Sequence, residues 1–317
     1  MGEKTSRAKL SVALIGVGPI WELHYRDAIQ NLSSKLSVRA VCDSVLMRAT
    51  AVAEEYEATP VGSPWLLTQR RDLQAWLILD PAWFDVYPAD LAVRHGRQAL
   101  FANTFSSSIP ILTDILRRSV EQGETLMPEF PQRFTPATTR LRELMATKLG
   151  KVRQIEISIP LPATDSTAVT CWLHENHAEF IGLLDWCGCL IGDSNPHVAF
   201  QTTSTGSQFN LHFPLRTADP RELPDVKILF DATGEPRRHI VCERGSAAIS
   251  SPTQIDWQTS EEHAQESFSH ERSQYEIILD QFCRRVLGGL VPVPTVINAL
   301  HAITTAQQAV EACINTQ

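Results

Sequence analysis

The chain has 317 residues, enough for two domains of ordinary size, each with its own core. It is 43% hydrophobic and 20% charged with a formal net charge of −8, a globular composition without the basic face that nucleic acid or an anionic membrane needs. The seven cysteines are scattered, and Cys187 and Cys189 stand too close for a usual zinc pair, so free thiols, no metal site and a cytoplasmic location are expected. Residues 1–9 are polar and give no signal peptide, and the longest uncharged span, 286–310, holds Pro292, Pro294 and Asn298 and does not read as a membrane helix.

Val12, Ala13, Leu14 and Ile15 form a short apolar run suited to a strand buried on both faces. It ends at Gly16-Val17-Gly18-Pro19-Ile20-Trp21; a helix is predicted over 22–31 and a second strand over 36–41, closed by Cys42-Asp43. Strand, glycine-rich turn, helix, strand and acidic residue is the order of a dinucleotide-binding βαβ unit. In that reading Gly16 permits a tight turn and Gly18 lets backbone approach a pyrophosphate, with Pro19 and Ile20 completing the turn. Asp43, 25 residues past Gly18, stands where a carboxylate takes the ribose hydroxyls of NAD or NADP. Arg48 suits a 2′-phosphate, but Asp43 repels one, so NAD is slightly preferred. Trp21 fills the slot that normally needs a small residue, so either the helix stands off or the turn differs locally.

Further along, a helix is predicted over 45–56, a buried strand over 73–79 closed by Asp80 and Pro81, and a helix over 87–95. A strand over 98–102 follows, then a helix started by Ser108 and Pro110 and ended by Gly123. This alternation predicts an α/β fold with a Rossmann-type, doubly wound parallel sheet over residues 1–125. Residues 126–317 change character: a helix over 136–147, then Ile155, Ile157 and Ile159 alternating with polar residues. Val226, Ile228 and Phe230 alternate likewise, and further strands are expected at 198–203, 209–213 and 239–242. A helix over 180–191 interrupts them. An amphipathic helix from Tyr275 to Val286 and a last helix capped by Thr295 close the chain, the last helix either staying with the second domain or packing back on the first. The expected second domain is α+β with a mostly antiparallel, open-faced sheet. Its free face suits a second copy, making a dimer or tetramer.

The layout resembles the glucose–fructose oxidoreductase / inositol dehydrogenase (Gfo/Idh/MocA) family over nearly the whole chain. The resemblance rests on Ala13-Leu14-Ile15-Gly16-Val17-Gly18 with His24, on Val41-Cys42-Asp43, on Pro131-Gln132-Arg133-Phe134-Thr135-Pro136, and on Leu149-Gly150-Lys151-Val152. Gly288-Gly289 and Pro292-Val293-Pro294-Thr295 extend it towards the C-terminus. It implies NAD(P), a ligand cleft at the carboxyl ends of the parallel strands, and hydride transfer on a sugar, polyol or related small carbonyl compound.

The resemblance also implies chemistry that this chain does not spell. Where the family carries Glu-Lys-Pro, the sequence reads Ala102-Asn103-Thr104, and neutral Asn103 only hydrogen-bonds. Where the family carries Asp-x-x-x-His, one register gives Ala178 and Gly182 and the other Glu175 and Glu179. Where the family has Thr-Pro followed by a histidine, the sequence reads Asp80-Pro81-Ala82-Trp83-Phe84-Asp85. His174, His177 and Glu179 are the substitute acid–base candidates, against solvated loop histidines and a helix-start carboxylate facing the dipole. Arg133 either holds an anionic substrate or a cofactor phosphate, or pins the domain interface. His24 reads as a packed helix residue, and Trp83 and Phe84 as core packing or a stacking surface. Three functions stay open: an NAD(P)-dependent oxidoreductase with a rearranged acid–base set, a non-catalytic nucleotide- or small-molecule-binding homologue, and a member that keeps only the fold.

Overall fold

The computed structural model describes residues 9–80, 84–102, 109–123, 125–192, 201–205, 208–214, 224–232 and 234–315. β1 (Leu10–Ile15) leads through the glycine-rich turn into a π-helical turn (Trp21–Tyr25) and α1 (Arg26–Asn31). Then come β2 (Leu36–Cys42), α2 (Leu46–Glu55), β3 (Thr59–Val61), α3 (Pro64–Leu67) and β4 (Ala75–Ile78). α4 (Tyr87–Arg94), β5 (Gln98–Phe101), α5 (Ile109–Glu121) and β6 (Leu126–Pro128) complete a six-stranded sheet in the order β3-β2-β1-β4-β5-β6. Every pairing in it is parallel. β1 and β4 are buried almost throughout, as strands covered by helices on both faces must be.

A 3₁₀ turn (Pro131–Phe134) and α6 (Pro136–Leu144), extended by a π-helical turn at Met145–Leu149, open the second half. β7 (Val152–Pro160), α7 (Ser166–Glu175), α8 (His177–Ile191), β8 (Gln201–Thr205), β9 (Gln208–Pro214) and β10 (Asp225–Asp231) follow. β11 (Arg237–Cys242), β12 (Gly245–Ser251), β13 (Gln254–Thr259) and β14 (His263–Ser267) complete an eight-stranded sheet ordered β14-β13-β12-β11-β7-β10-β9-β8. Only its β7–β10 pairing is parallel. The strand expected over 198–203 is β8; residues 198–200 lie outside the described residues. α9 (Gln274–Val286) and α10 (Val296–Ile314) end the chain, with Thr295 accepting the Asn298 N–H as the N-cap.

The chain forms two compact units, Met1–Glu129 with Tyr275–Asn298, and Phe130–Gln274 with Ala299–Gln317. The first unit thus takes in α9, which a division after residue 125 leaves with the second half. Contacts that hold α9 there include Tyr275 stacked on His24, Asn31 donating to Glu276, and Asp280 paired with Lys35.

In the second unit the alternating apolar residues face inward. Ile155, Ile157, Val226, Ile228 and Phe230 are all buried within this chain. The opposite face of β11–β13 carries Arg237, His239, Ser246, Asp256 and Gln258, which line a cavity of about 400 Å³. The apolar alternation therefore marks the face that this chain covers itself. Among the described residues no helix is long and apolar enough to cross a membrane.

Candidate functional site

The strand order of the first sheet reverses at β1/β4, and in open α/β sheets ligands bind beyond the carboxyl ends at such a switch point. The parallel register pairs Ile15 with Ile78, and the Leu79 N–H donates to the Ile15 carbonyl at 3.0 Å. Asp80 is thereby carried alongside the turn. Gly16 has φ +78°, and a Cβ on it would lie 1.8 Å from the Asp80 carbonyl oxygen, so no other residue fits without moving backbone. A Cβ on Gly18 would lie 2.5 Å from Asp80 Oδ2 and 3.2 Å from Arg48 Nη1. Pro19 is exposed and Ile20 half-exposed.

Two donors of this turn are already engaged by carboxylates. Val17 N–H donates to Asp43 Oδ2 at 3.0 Å, and Ile20 N–H to Asp80 Oδ2 at 3.2 Å. Asp43 also accepts from Val45 N–H at 2.8 Å and pairs with Arg48 at 3.4 Å, while only 4% exposed. The backbone shape fits a dinucleotide pyrophosphate; the electrostatics do not, because two of the chain's own carboxylates hold N–H groups that a phosphate would use. Asp43 serves first as the clamp joining the turn to the end of β2. Pro81 and Trp83 lie outside the described residues.

Trp21 is fully buried and meets Tyr56 edge-on at 6.3 Å. Of the two expectations for its slot, the local one describes the structure. The helix begins as a π turn at Trp21–Tyr25, which admits a large inward side chain next to the sheet. The same turn places His24 flat on Tyr275, centroids 4.4 Å apart, and burial lowers the His24 pKa. Tyr25 donates to Glu129, and burial followed by the Glu129 charge raises the phenol well above its ordinary value.

In the second unit Arg133 donates from Nε and Nη2 to the two oxygens of Asp185, at 2.6 and 2.5 Å. Burial raises the Asp185 pKa even though the guanidinium opposes that shift. Arg133 therefore ties α8 to the 3₁₀ turn before α6 within the second unit, so this ion pair does not pin a domain interface. Gly182, one helical turn before Trp186, faces Gln132: a Cβ there would be 3.6 Å from Gln132 Nε2. Gln132 Oε1 is buried without a hydrogen-bond partner. Trp186 donates to Thr138 Oγ1 at 3.0 Å, and the Arg238 guanidinium lies 5.1 Å over its indole. Burial pushes the neighbouring Cys187 thiol up to about 12, which leaves it un-ionised at neutral pH.

The substitute acid–base candidates lie on helices rather than in a loop. His174 is exposed in the last turn of α7, His177 is the half-buried first residue of α8, and Glu179 is exposed in the first turn of α8. The loop assignment failed because Ser166–Glu175 forms a helix, N-capped by Asp165 onto the Ala168 N–H, that brings His174 up to the start of the next. Burial, and then the charge of His174, lowers the His177 pKa. Asn103 lies outside the described residues. Gln132 and Arg238 were missed from sequence. Gln132 sits inside a motif already singled out, and Arg238 shares the inward parity of Ile240 and Cys242, where a cation is unexpected.

No family model matches this sequence, and no curated protein does either. Solved structures do match in fold. UDP-N-acetylglucosamine 3-dehydrogenase GnnA from Acidithiobacillus ferrooxidans is similar at 17% identity and TM-score 0.72, over 96% of this chain and 98% of that one. The 3-ketoreductase KijD10 from Actinomadura kijaniata, in complex with NADP and TDP-benzene, is similar at 15% identity and TM-score 0.69, over 95% and 96%. An oxidoreductase from Thermotoga maritima is similar at 15% identity and TM-score 0.74, over 96% and 97%. These neighbours are Gfo/Idh/MocA-type oxidoreductases, and at such identities the likeness establishes the fold.

Proposed function

We propose that this chain is a nucleotide- or small-molecule-binding homologue of NAD(P)-dependent oxidoreductases of sugar-related compounds, turning over common sugars and polyols little or not at all. The observation that carries this reading is the inward stripe of α8. Gly182 offers no side chain, Asp185 is committed to Arg133, and Trp186 to Thr138. A positioned acid–base group contributes about 10²–10⁴-fold to hydride transfer at a hydroxyl, and this stripe supplies none. NAD or NADP is the cofactor in this reading, NAD slightly preferred because Asp43 repels a 2′-phosphate. When bound, it would rest its pyrophosphate at the turn formed by Gly16, Gly18, Pro19 and Ile20 and would supply hydride chemistry from its nicotinamide.

The test is turnover of polyols and sugars with both dinucleotides, run beside calorimetric titration of each. Binding with negligible turnover is expected. Robust turnover that survives replacement of His174, His177 and Glu179 in turn overturns the reading. A second reading, an oxidoreductase with a rearranged acid–base set, is favoured by His177, since a half-buried imidazole with a lowered pKa is neutral at pH 7 and suited to act as a base. Turnover abolished by His177→Ala would select it. A dimer or tetramer through the open face of the eight-stranded sheet completes the proposal, supported by the half-exposed His239, Ser246 and Ala248 there. A monomer mass by light scattering across a wide concentration range removes that part.

A further inference from the structure

We infer that Asp80 is a tethered competitor of phosphate at the glycine-rich turn, so that the chain holds a dinucleotide weakly until this carboxylate is displaced. The inference rests on the reading of that turn as a dinucleotide site.

Three observations converge on it. The β1–β4 register and the Leu79 N–H···O=C Ile15 bond fix the Asp80 backbone so close to Gly16 that its carbonyl oxygen fills the space of a Cβ there. From that anchor Oδ2 reaches across Gly18, 2.5 Å from where a Cβ would stand. In the dinucleotide-binding turn, the missing side chain at this second glycine leaves room for the pyrophosphate. Oδ2 also accepts the Ile20 N–H at 3.2 Å, a donor at the start of the following helix where a bound anion would be stabilised. Asp80 thus copies a phosphate in charge, in position and in its hydrogen bond.

The cation that would favour an anion here is committed too. Arg48 Nη1 is 3.2 Å from the same point over Gly18, while Nη2 of that side chain pairs with Asp43 at 3.4 Å. A phosphate arriving at the turn therefore meets two carboxylates and one guanidinium. It must either displace Asp80 Oδ2 or lie against a like charge at short range. A group tethered through the chain competes at a high effective concentration, so displacement lowers the apparent affinity of every ligand that places phosphate over Gly18. Ligands without phosphate escape the penalty. Asp80 is only half-buried and makes one long hydrogen bond to the turn, so it has room to swing away, whereas Asp43 is nearly fully enclosed.

The experiment is calorimetric titration of the full-length protein, Asp80→Asn and Asp80→Thr with NAD, NADP and adenosine, after thermal unfolding has shown that each variant is folded. Both variants are expected to bind NAD at least tenfold more tightly than the unmodified chain, a difference of about 1.4 kcal/mol. Adenosine is expected to bind all three proteins alike. Equal NAD affinity in the three proteins overturns the inference and leaves the dinucleotide site standing. Weaker NAD binding in both variants also overturns it and makes Asp80 a ligand-holding group. A rise that adenosine shares equally overturns it as well, since phosphate would then not be the cause. No binding of either dinucleotide by any of the three folded proteins overturns the inference together with the site.

Discussion

Asp80 and Asp185 stand where each unit carries its chemistry-bearing positions, and the two carboxylates are held in opposite ways. Asp80 is half-buried at the mouth of the turn and accepts one backbone N–H at 3.2 Å. Asp185 is 4% exposed and receives both arms of a guanidinium at 2.5–2.6 Å. A ligand can replace the first contact with one of its own. It cannot replace the second without stranding a buried charge, and leaving one partner of a buried pair alone costs far more than the pair gains over apolar packing. The glycine turn thus holds an anion of the chain's own where the proposed ligand would place phosphate, whereas the middle of α8 is a structural joint.

The largest effect that would break this contrast is expected from Arg133→Ala. Removing the guanidinium leaves Asp185 buried and uncompensated, so unfolding by urea should show a loss of about 3–5 kcal/mol at pH 7. The pH dependence follows from the raised Asp185 pKa. A carboxyl whose folded pKa lies above its unfolded value binds more protons when folded, so its contribution to stability is complete below the unfolded pKa and is lost as pH rises through the folded pKa. Arg133 holds that shift down, and without it the shift grows. The deficit of Arg133→Ala should therefore narrow as the pH is taken from 7 towards 5. A deficit under 1 kcal/mol, or one that does not vary with pH, would show that Arg133 is free to serve a ligand.

A middle-sized effect is expected at Asp43. Its oxygens accept the Val17 and Val45 N–H groups, and an abandoned buried donor costs about 1–3 kcal/mol. Asp43→Ala should lower both the stability and the NAD affinity, the latter by about the 1.5–3 kcal/mol of a charge-assisted hydrogen bond. Asp43→Asn keeps an acceptor and should recover much of the stability. NAD affinity unchanged in Asp43→Ala would remove Asp43 from the ligand site and leave it only as the clamp of the turn.

These two cases also mark what was legible in the sequence. Apolar strands ending at glycine or aspartate gave the parallel sheet almost strand by strand, since fully buried strands read as continuous apolar runs. The short β3 and β6, and β12 to β14, were not read. β12 is Gly-Ser-Ala-Ala-Ile-Ser-Ser, in which small residues on both faces blur the two-residue period. Asp80 and Asp43 were picked out by their places at strand ends, but not their hydrogen bonds. Those depend on a register joining residues 60 apart in one case and 26 in the other. Trp21 signalled a departure from the usual turn, though nothing local says that a π turn absorbs it. The pairing of Arg133 with Asp185, 52 residues away, likewise exists only once α8 is packed.

The smallest expected effect concerns the acid–base gap itself. Gly182 lies inside α8, where glycine is about 0.8–1.0 kcal/mol less favourable than alanine and histidine stands between them. A Cβ there meets Gln132 Nε2 at 3.6 Å, an ordinary contact. The backbone and Cβ of Gly182→His are therefore accommodated, and its ring, at a buried position, is expected to cost no more than about 1–3 kcal/mol in overpacking, checked by thermal unfolding. Neutral Asn103 is the other departure, and Asn103→Lys places an ammonium at that position. Hydride transfer needs binding and orientation as well as a proton partner, and these survive loss of the partner. The double variant Asn103→Lys/Gly182→His should thus gain a trace of NAD-dependent polyol oxidation over the unmodified chain, while either single variant gains less. Adding Asp80→Asn should raise that trace further, because the cofactor would no longer compete with a carboxylate over Gly18. Turnover in the unmodified chain equal to that of the double variant would mean that the proton partner lies elsewhere, with His177 the first residue to replace.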